Sequence, residues 1–258
     1  MSRRVGIRTP LGEALQFHTL AGREALSEAY AFDLELLGSS NALEPKALLG
    51  KTATVVLQTE RGATRYLSGI VTRFGLSQED ARQSFYRMRL RPWLWLAKKR
   101  SDFRIFQDQT VPQILREVLG RYGYAMDQRL TRSYRTWNYC VQYHESDFDF
   151  VSRLCEHEGI YYHFRHEAEQ HVLVFADDIA SAHGPLPGGE TVRYHPHEQS
   201  GMTGGAEPNE RIYAWEMADG IRSGHHYRSH YDFEKPKADL ASQRQRGIQA
   251  MAEADGRK

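Results

Sequence analysis

The sequence predicts a mainly β protein with an inserted α+β segment. Three observations carry this reading. Apolar and polar residues alternate with period two through most of the first hundred residues, two stretches of the middle third switch to helical spacing, and strand patterns then return.

Ala14–Leu20 and Tyr30–Leu37 alternate, so each is expected to bury one face. Ala53–Thr59 and Tyr66–Phe74 flank Arg61-Gly62, where glycine supplies a positive φ, and the pair reads as a hairpin. Phe85–Arg91 alternates again before Pro92-Trp93-Leu94-Trp95-Leu96. Five or more strands with short turns predict a small antiparallel barrel or sandwich over residues 1–100.

Residues 101–178 form a mixed helix and strand segment. Thr110 caps a helix with Pro112 in its first turn; Val111, Ile114, Leu115, Val118, Leu119 and Tyr122 share a face, and Gly123 ends it. A second helix begins at Ser146, which with Asp149 resembles a capping box; Phe148, Val151, Leu154 and Cys155 form its buried stripe and Gly159 its stop. Gly159–Phe164 and His171–Ala176 read as a hairpin joined by the polar run Arg165–Gln170. From Ala180 prolines and glycines interrupt any long element. Arg211–Glu216 and Gly224–Phe233 resemble further strands, and the polar stretch after Pro236 is expected to be loosely ordered.

Composition narrows the function. The chain has 258 residues, 40% hydrophobic and 11% aromatic, enough for one large domain or two small ones. With 34 basic and 33 acidic side chains the formal charge is +1, so nucleic acid is not an expected partner. The longest apolar runs, such as Thr54–Leu57, fall far short of the ~20 residues of a membrane-crossing helix, so no membrane insertion by this region is expected. Arg3-Arg4 leads into no apolar signal core, which predicts cytoplasmic residence. Cys140 and Cys155 are expected to be reduced, buried thiols.

Among the twelve histidines the groupings are His157-Glu158 with His163 and His166, His195 with His197, and His225-His226. None has a metal site's usual spacing: a helical zinc protease needs two histidines four apart around a glutamate, and Gly159 ends the helix between His157 and His163. His195-Pro196-His197 reads as an edge strand blunted by proline. Cys155-Glu156-His157 offers a nucleophile and a base, but Cys155 lies on the apolar face, where burial raises a thiol pKa. Asp147, Asp149, Glu156 and Glu158 would suit a glycosidase pair, yet acids at a helix start are more simply caps. Leu186-Pro187-Gly188-Gly189 lacks the lysine of a phosphate loop. The expectation is of no catalytic residue, no cofactor and no bound metal.

Longer strings carry a resemblance. Phe17–Ser27, Leu48-Leu49-Gly50-Lys51, Tyr66–Thr72, Leu90–Leu96, Arg104–Gln107, Val141–Leu154, Glu158–Tyr162 and Tyr231-Asp232-Phe233 with Pro236 are similar to the VgrG family of type VI secretion spike proteins, over residues 11 to 237. Its most recognisable signature falls on Gln142, Tyr143, Glu145, Ser146, Asp147, Phe148, Phe150, Arg153, Leu154 and Gly159. These are expected to be architectural, with Phe148, Phe150, Val151 and Leu154 anchoring the helix on the strand at Tyr139–Tyr143.

The resemblance implies a phage tail hub-like pair of antiparallel β-barrels: residues 1–100 the first, 101–178 the mixed segment, and 179–258 a linker, the start of a second barrel and a tail, leaving that barrel incomplete here. It implies a mechanical function: a homotrimer adapting the hexameric tube protein Hcp to a spike needle, with tip, effector or adaptor proteins held through later regions. Such a hub assembles in the cytoplasm and is secreted on firing. A tail hub of a contractile phage is the nearest alternative, and a metal-dependent or glycoside hydrolase the alternative from another class.

Overall fold

In the computed structural model, the first strands form where side chains alternate. β1 (Val5–Arg8), β2 (Leu15–Arg23), β3 (Ala31–Gly38), β4 (Thr52–Gln58), β5 (Thr64–Glu79) and β6 (Ser84–Arg91) make one sheet in the order β1-β4-β5-β6-β3-β2, with every neighbouring pair antiparallel. The structure describes residues 5–58, 63–79, 83–184, 194, 212, 214–217, 220, 224–229, 231 and 234–245. The chain divides into two units, residues 1–192 and 193–258, and each is described by itself.

Register sorts the faces of the first sheet. Phe32, Leu34 and Leu36 of β3 lie opposite Leu90, Met88 and Tyr86 of β6, all buried. The residues between them point outward as opposite charges: Asp33 faces Arg89 at 2.6 Å and Glu35 faces Arg87 at 3.6 Å. Bulges in β2 and β5 bend these strands, and the sheet curls into a half-barrel. Gly22 permits that curvature, since a Cβ there would lie 2.4 Å from Phe32 Cδ1 and 2.7 Å from the Ala31 carbonyl oxygen. The hairpin of β4 and β5 is as expected; its turn at Arg61-Gly62 lies outside the described residues. β1 adds a strand that alternation in the sequence did not reveal.

A 3-10 helix, Trp93–Lys99, leads into the mixed segment and buries Trp93, Leu94 and Ala97. There follow β7 (Ser101–Phe106), β8 (Gln109–Thr110), α1 (Val111–Gly120), β9 (Met126–Arg129), β10 (Thr136–Trp137), β11 (Cys140–Ser146), α2 (Asp147–Glu158), β12 (Tyr161–His166), β13 (His171–Ala176) and α3 (Ile179–Ala182). α1 buries Val111, Ile114, Leu115, Val118 and Leu119 as its spacing predicts, and the Thr110 N–H donates to Gln113 Oε1 at 2.8 Å. It ends at Gly120, three residues before the expected stop at Gly123, which takes φ +70° in the turn beyond. β12 and β13 form the expected hairpin, and β9 joins β13 in parallel. All six residues of β13 are buried.

Side chains far apart in sequence join this segment to the half-barrel. Tyr30 Oη donates to the Ser68 carbonyl at 2.6 Å, and the Ser68 N–H donates to His166 Nδ1 at 3.0 Å. His166 Nδ1 also lies 3.1 Å from the Ser68 carbonyl, and its Nε2 lies 3.0 Å from Glu24. The Trp93 N–H donates to His171 Nε2 at 2.8 Å, and the Ser27 N–H to the Tyr162 carbonyl at 2.8 Å.

In the second unit β14 (His225–Ser229) pairs antiparallel with β15 (Ala241–Gln245). For Ala241–Gln245, β15 corrects the expectation of loose order after Pro236, since backbone pairing builds a strand from residues with no apolar alternation, and residues 246–258 lie outside the described residues. Of the expected strand at Arg211–Glu216, Ile212 makes one bridge to Tyr194, while Ala214, Trp215 and Glu216 are not in a strand. His195 and His197 lie outside the described residues. Among the described residues no helix is long and apolar enough to cross a membrane.

Candidate functional site

The signature residues gather where β11 turns into α2. β11 pairs with β7, and the ladder slips by one residue between Tyr143 and Glu145 because His144 bulges at φ +52°. Ser146 then starts the helix: its Oγ accepts the Asp149 N–H at 3.0 Å and donates to Asp149 Oδ2 at 2.6 Å. At the other end Gly159 takes φ +68°, its N–H reaches the Glu156 carbonyl, and the Ile160 N–H closes on the Cys155 carbonyl at 2.8 Å.

Beneath this turn sits a buried polar knot. Gln142 and Asp147 are both fully buried. Gln142 Nε2 donates to Asp147 Oδ1 at 2.8 Å and to the Glu145 carbonyl at 3.2 Å. Tyr122 Oη donates to Asp147 Oδ2 at 2.8 Å, and the Asp147 N–H donates to the Arg100 carbonyl at 2.9 Å. Burial, then the bond to Asp147, pushes the Tyr122 phenol well above its ordinary pKa, so it remains the donor. Arg153 clasps the outside, with Nε 3.2 Å from Glu145 Oε2 and a second nitrogen 3.1 Å from the Val141 carbonyl.

The helix buries Phe150, Val151, Leu154 and Cys155 together with Asp147. Phe150 stacks on Phe106 of β7 with ring centres 5.4 Å apart. Phe148, expected in the buried stripe, is only partly buried; it stands in the first turn with Lys98 Nζ 4.1 Å over its ring. Tyr143 points outward and is exposed.

Of the candidate chemical groups, His157 and Glu158 share Arg135 and Trp137, and the others sit in different surroundings. His157 meets Arg135 at 2.6 Å and the edge of Trp137; His163 lies against His183 with centres 4.5 Å apart and rings tilted by 40°; His166 bridges Ser68 and Glu24. Since His163 and His166 are three apart on β12, they face opposite sides of the strand. His225 and His226 alternate along β14 in the same way. Glu158 accepts from Trp137 Nε1 at 3.1 Å, while Asp149 Oδ2 accepts from the capping Ser146 hydroxyl and Asp147 lies in the knot. Burial pushes the Cys155 thiol up to about 12, and Cys140 is raised by the same cause, so neither is a ready nucleophile. Among the described residues no group of three or more His, Cys, Asp or Glu side chains is placed to hold a metal ion.

Sequence reasoning missed Asp177. Its carboxylate accepts from the Thr131 and Arg132 N–H groups at 2.9 Å and from Tyr134 Oη at 2.7 Å. Burial alone would raise its pKa, but these donors hold it far below the usual carboxylate range.

The described fold is thus a curled antiparallel half-barrel followed by a helix on a two-stranded ribbon, with a buried polar knot where strand turns into helix. The model of the phage tail baseplate hub (GPD) family matches residues 23–257, and the chain belongs to that family. The type VI secretion system spike protein VgrG1c of Pseudomonas aeruginosa is 42% identical over 93% of this chain and 32% of its own length. The chain thus spans about a third of that relative. The Escherichia coli c3393 protein, a component of the type VI secretion system with structural similarity to the T4 bacteriophage tail proteins gp27 and gp5, superposes with TM-score 0.61 at 28% identity, over 71% of this chain and 52% of that one. A tail protein of Neisseria meningitidis shares the fold at TM-score 0.50 and 12% identity, over 76% of this chain and 56% of its own.

Proposed function

We propose that this chain is the hub part of a type VI secretion spike: three copies adapt the hexameric Hcp tube to a needle that carries effectors, assembling in the cytoplasm and leaving on firing. The observation that carries the secretion reading over a phage tail hub is the 42% identity to a spike protein across 93% of the chain, against 12% for the tail protein of the same fold. In this reading residues 1–100 are the first hub barrel, 101–178 the mixed segment, and 179–258 the linker, the start of the second barrel and the tail.

The part it plays is mechanical and not enzymatic. Among the carboxylates and histidines that a hydrolase would use, Asp147 and His166 are bound into separate structural contacts, and His157 and Glu158 are both held by Arg135 and Trp137. A chimera tests the proposal: residues 11–237 replace the matching region of VgrG1c, and release of tube protein by the secreting cell is measured. Release is expected to persist. A chimera that accumulates folded and trimeric yet supports no release contradicts the spike reading.

A further inference from the structure

The ribbon of β7 and β11 has one face that the fold does not use. Arg104, Phe106, Cys140 and Gln142 turn inward, toward α1 and α2. Phe103, Ile105 and Tyr143 turn outward and are 62%, 58% and 74% exposed, with Tyr139 55% exposed just before β11. Register makes them neighbours: Phe103 lies opposite Tyr143 and Ile105 opposite Val141, and the Phe103 and Tyr143 rings meet edge to face at 5.3 Å. His144, whose ring lies 5.6 Å from Phe103, holds a left-handed backbone at the end of this stripe. For a residue other than glycine that conformation costs on the order of 1 kcal/mol.

We infer that this outward stripe is a contact surface for a second copy of the same chain. Two features select that occupant. The four exposed side chains offer on the order of 500 Å² of largely apolar surface, more than half of the ~800 Å² that each partner commits to a standard stable interface. No charged side chain stands among them; Asp102, Glu145 and Arg153 border the stripe, which is the apolar centre and polar rim of contacts between identical subunits. The outer edges of β7 and β11 pair with no further strand among the described residues, and side chains of this chain take the Phe103 N–H and the Val141 carbonyl. The inference rests on the multi-copy hub reading above and assigns a face to it.

Sedimentation velocity over a wide concentration range tests this on the 258-residue chain, its Phe103→Ser and Tyr143→Ser variants, and an Ile179→Ser control whose exposed apolar residue lies elsewhere. Far-UV circular dichroism checks that each is folded, which exposed positions should allow. The parent is expected to associate, each stripe variant to weaken association about thirtyfold as for a central anchor, and the control to behave as the parent. A parent that stays monomeric throughout, stripe variants that associate like the parent, or a control weakened equally would each overturn the inference. The hub reading is judged separately by tube binding of the same samples, so the two fail independently.

Discussion

At the residue scale, Phe150 and Phe148 show what local pattern reveals and what it hides. Both are apolar residues at the start of one helix, and spacing alone put Phe148 in the buried stripe. Asp147 takes the inward place instead, since its carboxylate is bound by Gln142 and Tyr122, and Phe148 turns toward Lys98. Phe150→Ala should therefore destabilise by about 3–5 kcal/mol and Phe148→Ala by about 1 kcal/mol, read as urea midpoints. Equal losses would contradict the assignment. His171 makes a second prediction. Burial, then the neighbouring His166, lowers its pKa to about 3, while the unfolded residue titrates near 6.5. The unfolded chain therefore binds the proton first, and stability that is complete above about pH 6.5 declines as pH falls toward 3. His163, lowered to about 4 by burial and then by His183, adds to the slope in the same window. His171→Gln should flatten part of that decline in denaturation curves taken across it, and an unchanged slope would refute the role.

At the element scale, α1, α2 and the hairpins β4–β5 and β12–β13 were legible because caps, glycines and apolar spacing act locally. β15 was not, since Ala241–Gln245 carries no apolar alternation to mark it as a strand. The two ends of α2 test the legible part. Ser146→Ala should cost about 1 kcal/mol by removing the acceptor for the Asp149 N–H. Gly159→Ala should cost about 1–2 kcal/mol from its positive φ, because a Cβ there meets no atom nearer than 3.4 Å. Thermal unfolding of the two variants and the double mutant measures both. A Gly159→Ala variant as stable as the parent would mean that the helix ends in some other way.

At the scale of the whole molecule, the seam between half-barrel and mixed segment was invisible in the sequence. Its bonds join Ser68 to His166 and Trp93 to His171, across 98 and 78 residues, where no local period operates. The same holds for the site: the signature strings were readable, but the burial of Gln142 and Asp147 and the exposure of Tyr143 depend on which face of the β7–β11 ribbon the helices cover. In the function proposed above, this chain would serve as a mechanical adaptor for a six-membered tube. The most direct test mixes the chain with purified hexameric Hcp and determines the mass and composition of the complex by light scattering. The account predicts a complex of three chains on one hexamer; a chain that forms trimers and yet shows no association with the tube at any concentration would contradict it.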